Sequence, residues 1–306
     1  MWTKKDIPAQ AGKTIIITGA NTGIGYETAL ALYEAGAHVV LACRNMDKAE
    51  AARKKLAALD GKGTLEIAQL NLGSLAEIKR FADDFIRGHK QLHLLVNNAG
   101  VANAGANAPI SPKTVDGFEE QFGTNFLGHF ALTGRLYALL SATPAARVVT
   151  VSSMGYQGAT IDFDNLRSEK SYDALREYRQ SKLANLVFSI ELDRRIRKRG
   201  DRVLSIAAQP GANKTELMRH MTDQEIAVGI ERIGQFMDPW QGALPLLYAA
   251  VSADATSGNL YQPDEGGYRG YPALAVIGEN ALDEEVAGRL WDWAEGVTGV
   301  FYPGKE

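Results

Sequence analysis

Residues 13–25 read KTIIITGANTGIG, an apolar run that breaks into a glycine-punctuated turn and continues as a helical pattern. Thr14 to Ile17 are β-branched or apolar and suit a buried strand. Gly19, Gly23 and Gly25 fall where a strand-to-helix turn needs small or left-handed residues, and a helix is expected over Ile24 to Ala35. Such a turn presents unpaired N–H groups and the positive end of a helix to an anion, which suits the pyrophosphate of a dinucleotide. Gly19 would permit the turn, Gly23 the close approach, and Gly25 the packing of helix on strand. The GxxxGxG spacing is one residue longer than the common dinucleotide fingerprint, and an ordinary tight connection is the competing reading.

Outward from this stretch, strand and helix patterns alternate. Ala37–Ala42 reads as a second strand and Met46–Leu59 as a helix, with Cys43 and Arg44 between them. In a doubly wound sheet an acid at this corner would hold a ribose 2′-hydroxyl and repel a 2′-phosphate. None is present and Arg44 follows directly, which favours NADP over NAD; the alternative is an Arg that caps the next helix. Thr64–Leu70 is a third strand, and Asn71 beyond it either meets an adenine edge or closes a turn. A helix over Ser74–Arg87 leads to a fourth strand, Leu92–Val96, followed by Asn97, Asn98, Ala99 and Gly100, which suit a loop over a cofactor and a plain turn equally.

A Gly, Pro and Asn-rich excursion, residues 105–112, precedes a long helix expected from about Val115 to Leu140. Asn125 lies inside it, and a buried amide needs either a local partner or a bound water. The fifth strand, Arg147–Val151, delivers Ser152 and Ser153 at its carboxyl end, where open α/β sheets bind ligands. Tyr178 and Lys182 share one face of a helix expected over Tyr172–Arg197. A neighbouring ammonium stabilises phenolate and lowers a phenol from its usual pKa of ~10, although simple packing is commoner for an isolated YxxxK. A sixth strand, Val203–Ala208, ends in Pro210 and Gly211, with Thr215 beyond. A helical lid over Thr215–Asp238, a helix over Trp240–Val251, a short strand at Asn259–Gln262 and a helix over Ala281–Glu295, whose Trp291 and Trp293 suit the core, complete the chain. The expected fold is α/β: one domain over residues 1–306, with a doubly wound, mostly parallel seven-stranded sheet and helices on both faces.

A net charge of −3 gives no electrostatic footprint for nucleic acid, and the basic run Arg194–Arg202 reads as a solvated helix end. Cys43 is the one cysteine, so no intramolecular disulfide can form and a reducing, intracellular compartment is the simpler expectation. His89 and His93 have ligand-like spacing, but the pattern switches from helix to strand between them, and no metal is expected. Met1–Lys13 lacks an apolar core of signal length and no run is long enough to span a bilayer, so a soluble, cytoplasmic protein without stable membrane insertion is expected.

TGANTGIG, NNAG, Asn125, Ser153, Tyr178 with Lys182, and Pro210-Gly211, in that order, resemble the short-chain dehydrogenase/reductase family, with its single-domain Rossmann fold. ACRN after the second strand, the long Ser153–Tyr178 interval, YRQSKLAN and the closing SGNLYQP look most like its retinol dehydrogenase and carbonyl reductase branch. The resemblance implies Tyr178 as proton donor, Lys182 as modulator of its pKa and ribose ligand, Ser153 as partner of the carbonyl oxygen, and Asn125 as holder of a proton-relay water. Ser153 is preferred to Ser152 because the second member of the pair serves in that family. The implied cofactor contacts are Gly19, Asn21, Thr22, Gly23, Ile24, Gly25, Arg44, Asn71, Leu72, Asn98, Ala99, Gly100, Tyr178, Lys182, Pro210, Gly211 and Thr215.

The implied reaction is reversible hydride transfer between NADP(H), preferred over NAD(H), and an apolar ketone, aldehyde or secondary alcohol. A non-catalytic NADP-binding redox sensor and a reductase of activated C=C bonds are the alternatives. Thr22 stands where some NADP-dependent members carry a basic residue, and Asn71 where Asp is frequent. The lack of an apolar anchor in Met1–Lys13 counts against retinol itself as substrate. A homodimer pairing through the helices of Asn125 and Tyr178 is expected from the family, although the long interval before Tyr178 lies near that face.

Overall fold

The computed structural model describes residues 1–103, 105, 107 and 109–303, with the Arg232 side chain left out. Strands β1 (Thr14–Thr18), β2 (His38–Cys43), β3 (Thr64–Gln69), β4 (Leu94–Asn97), β5 (Arg147–Val151), β6 (Leu204–Ala208), β7 (Leu260–Glu265) and β8 (Arg269–Leu274) form one sheet ordered 3-2-1-4-5-6-7-8. The first seven run parallel, and β8 returns antiparallel to β7. Alternate side chains enter opposite cores, so buried strands read as continuous apolar runs. Ile16 and Val40 face one core, whereas Ile15, Ile17, Val39 and Leu41 face the other.

Helices α1 (Gly23–Glu34), α2 (Met46–Ala57) and α7 (Pro239–Val251) cover the second face. The first is covered by α3 (Leu75–Gly88), α4 (Gly128–Ala142), α5 (Ala174–Arg199) and α8 (Glu284–Thr298). The lid segment contains α6 (Asp223–Ile233), whose start is a capping box between Thr222 and Glu225. Among the described residues no helix is long and apolar enough to cross a membrane. The basic run closes α5 as a paired surface: Arg195 meets Glu191 at 2.7 Å and Arg197 meets Asp193 at 2.8 Å.

Two expectations are corrected. The sheet has eight strands among the described residues, because the chain turns through Gly266 and Gly267, both left-handed, and adds β8. Gly270 and Pro272 in β8 disguise it, and Pro272 stands at a sheet edge, where a missing N–H is tolerated. The helix expected from Val115 begins about five residues later. Gly117 is left-handed at φ +80°, and Lys113 bridges to Glu119 instead. Residues 122–127 of this helix are wound as a π-helix around Asn125, a local expansion that recurs at functional sites.

Helix α8 and Tyr302 pack on α4 and α5. Trp291 of α8 stacks near Phe188 of α5 at 5.9 Å and meets Phe130 of α4 edge-on at 5.0 Å. Tyr302 packs on Phe130 at 5.0 Å, and its hydroxyl donates to the Phe130 carbonyl at 2.8 Å.

Candidate active site

The strand order reverses between β1 and β4, and at such a switch point the carboxyl ends of the strands leave a crevice. A cavity of about 630 Å³ opens there. Its floor is the turn after β1. Gly19 is left-handed at φ +66°, and a methyl on Gly25 would stand 2.5 Å from the Gly19 carbonyl oxygen, so α1 can lie this close to β1 only with glycine there. Thr22, which caps α1, makes no side-chain bond to the helix, so the first N–H groups of α1 are left for a ligand in the cavity. Asn21, Thr22, Gly23 and Ile24 line it, with Thr215 close against Gly23, and so do Leu72, Ala99, Gly100, Pro210 and Gly211.

Arg44 lies at the rim just past β2. Asn45 caps α2 by accepting from the Lys48 amide at 2.9 Å, and Lys48, one turn from Arg44, also lines the cavity. Lys48 was not singled out from the sequence. Its ion pair with Glu216 is 3.7 Å long with both side chains more than half exposed, so it holds Lys48 weakly. A glycine cradle and a helix start whose cap residue makes no side-chain bond fit a dinucleotide, with Arg44 and Lys48 at the rim.

Several amides have structural partners. The Asn98 side chain donates to the Thr18 carbonyl at 2.8 Å while lining the cavity. Asn97 ends β4 and donates to Thr133 at 3.0 Å, away from any loop. Asn71 accepts from Gly73 N at 3.1 Å, the turn reading, yet still borders the cavity. Asn125 stands one layer behind the wall: its amide accepts from Val101 N at 2.8 Å and donates to Val101 O and Ser181 Oγ, each at 3.0 Å. Val101 and Ser181, both distant in sequence, thus satisfy the Asn125 amide, which fastens the Gly100–Val101 loop to α5.

Sequence reading missed the polar chain below. Thr18 Oγ1 accepts from Asn98 N and Ala99 N, each at 2.9 Å, and lies 2.9 Å from His129 Nε2. His129 Nδ1 donates to the Asn125 carbonyl at 2.7 Å. Burial holds the His129 imidazole down at about 4, so it is neutral near pH 7, and Nε2 accepts from Thr18. The signal was a histidine four residues after Asn125 in an apolar helix.

Ser153, Tyr178 and Lys182 all line the cavity. A methyl on Gly155 would sit 3.5 Å from Tyr178 Cε1 and 3.6 Å from Ser153 Oγ, which places serine and tyrosine on one spot. The Lys182 ammonium lies 5.8 Å from the Tyr178 ring centre and donates to the Val151 carbonyl at 3.4 Å. Ser152 turns the other way, donating to the Lys182 carbonyl at 2.8 Å. Burial raises the Tyr178 phenol, with the Ser153 hydroxyl opposing, so the lowering expected from Lys182 does not prevail in the protein alone. Burial also brings Lys182 down to about 8. Cys43 is buried, and its thiol is pushed up to about 11, so it is no nucleophile here.

Lys182 makes a pH prediction. Its folded pKa lies below the value of 10.5 for a free lysine, so the cost of burying the ammonium is present in full below pH 8 and disappears as pH rises towards 10.5. That cost is roughly 3 kcal/mol. Lys182→Met should therefore have a higher urea midpoint than wild type at pH 7, and the gap should close by pH 10; a gap independent of pH would contradict the assignment.

The family model for short chain dehydrogenases matches residues 13–226. The chain belongs to the short-chain dehydrogenase/reductase family, in its retinol dehydrogenase branch, and is a hydride-transfer oxidoreductase. It is 38% identical to mouse (Mus musculus) retinol dehydrogenase 11 over 92% of this chain and 84% of that protein, and 38% identical to mouse retinol dehydrogenase 13 over 97% and 86%. Among solved structures it resembles a putative uncharacterized protein from Mycobacterium paratuberculosis, with TM-score 0.81, 36% identity and 99% of both chains covered. It also resembles an RhlG/NADP active-site complex from Pseudomonas aeruginosa, with TM-score 0.67, 25% identity, and 84% of this chain and 96% of that one covered.

Proposed function

We propose that the protein is an NADP(H)-preferring carbonyl reductase that reduces apolar ketones or aldehydes and, in reverse, oxidises the corresponding alcohols. The observation that carries this reading is the meeting of Ser153, Tyr178 and Lys182 at the carboxyl edge of the sheet, beside a dinucleotide cradle. The bound nicotinamide supplies or accepts the hydride. Ser153 donates a hydrogen bond to the substrate oxygen and fixes its position. Tyr178 gives that oxygen its proton, and burial, by raising the phenol, keeps the donor form populated. Lys182, at about 8, exchanges a proton near neutral pH and restores Tyr178. Asn125 completes a relay by holding a water.

Leu217, Met218, Met221 and Phe236 of the lid segment and Val101 give the cavity an apolar roof. Methionine adapts to varied apolar shapes, which suits a reductase of broad acceptance. The named activity of the retinol dehydrogenases puts retinaldehyde among the substrates to try. Loss of NADPH absorbance across aliphatic and aromatic ketones, aldehydes and retinaldehyde tests the reading; binding of NADPH without turnover of any of them would favour a sensor.

Arg44→Ala should weaken NADPH binding by about 10- to 100-fold, the value of one charge-assisted phosphate contact, and NADH binding much less. Titrating both nucleotides by fluorescence checks this, and equal losses would remove the 2′-phosphate assignment.

A further inference from the structure

At the amino-terminal edge of the sheet, the end opposite the cofactor cavity, three side chains meet that the oxidoreductase reading leaves unused. His38 opens β2, Glu66 lies in β3, and His89 caps the C-terminus of α3. Glu66 Oε2 is 3.1 Å from His38 Nε2 and 3.2 Å from His89 Nε2, and the two Nε2 atoms are 3.4 Å apart. Four donors around Zn²⁺ at ~2.0 Å lie about 3.3 Å from one another, so these three atoms occupy one face of such a tetrahedron.

We propose that His38, Glu66 and His89 bind a Zn²⁺ ion. His89 Nδ1 faces the Phe85 carbonyl at 3.2 Å, an oxygen that only accepts, so Nδ1 carries a hydrogen and Nε2 is turned towards Glu66. His38 Nδ1 is held by Thr64 Oγ1 at 2.7 Å, leaving its Nε2 towards the same point. Ring nitrogens oriented this way by a partner at the other nitrogen are the outer shell that metal-binding histidines require. The His89 ring is clamped further by stacking on Phe85 at 4.2 Å. Two ring nitrogens and a carboxylate oxygen converging at these distances form a donor set that one small cation can bridge.

Two imidazoles and one carboxylate select zinc over magnesium or calcium, which prefer oxygen. Side-chain exposures of 30%, 40% and 19% leave a path from solvent and room for water as a fourth ligand. The sequence expectation of no metal weighed His89 with His93, but His93 Nδ1 accepts from Thr14 N at 3.1 Å, and the partner of His89 lies fifty-one residues away. A bound ion would tie the outer strands β2 and β3 to the end of α3 and stabilise the fold by mass action.

Calorimetric titration of the full chain with ZnCl₂, after chelator dialysis, should show one saturable site, with no heat from MgCl₂. Co²⁺ should bind there with the visible absorption of a tetrahedral centre. His38→Ala and His89→Ala should each weaken Zn²⁺ by more than ~100-fold, and Thr64→Val by about 10-fold through loss of the outer shell. Glu66→Gln, nearly isosteric, should weaken binding while circular dichroism reports an intact fold, and His220→Ala should change nothing. Absence of a saturable site in wild type, or binding indifferent to His38→Ala, His89→Ala and Glu66→Gln, would overturn the proposal and leave an imidazolium–carboxylate cluster.

Discussion

Tyr178→Phe should lower the turnover number for carbonyl reduction by about 100- to 10,000-fold, the usual share of a positioned proton donor, with the fold and NADPH binding kept. The ring stays, so the contacts of Tyr178 with Gly155 and Lys182 survive and only the phenolic proton is lost. The measurement pairs initial rates with a fluorescence titration of NADPH. Undiminished turnover would remove Tyr178 from the chemistry; equal loss of turnover and of nucleotide binding would make it a binding residue instead.

The largest effect on stability is expected from Trp291→Ala. Trp291 is 2% exposed, its ring N–H donates to Glu295 at 3.0 Å, and Arg195 lies 4.4 Å over its face. Phe130, Phe188 and Tyr302 surround it. Removing so large a buried side chain costs about 3–5 kcal/mol through lost contacts and the cavity left behind. A urea titration should show the midpoint falling with little change in slope. Trp293, only partly buried against Phe118 and Phe122, should cost clearly less, and equal losses would argue against α8 being pinned by Trp291.

Much of this was legible because it is local. The run from Thr14 to Ile17 and the three glycines after it mark β1, the turn and the start of α1 to within a residue, and β5 coincides with RVVTV. Turn sterics and burial on both sheet faces act between near neighbours, and that is why they are written in short stretches. What remained hidden depends on distant contacts. β8 is a strand because β7 pairs with it, despite Gly270 and Pro272. Thr18 and His129 form one chain although 111 residues apart. The upward shift of Tyr178 reflects burial in the finished cavity, which the four-residue spacing to Lys182 did not reveal. His38, Glu66 and His89 meet only once β2, β3 and α3 are in place.

The packing of α8 and Tyr302 over α4 and α5 has a consequence for how the two catalytic helices behave in a crowded or dilute solution. Here the covering piece is tethered to the same polypeptide and is always at hand. The helix that presents Tyr178 and Lys182 is therefore braced by a piece of its own polypeptide, whose local concentration does not fall on dilution.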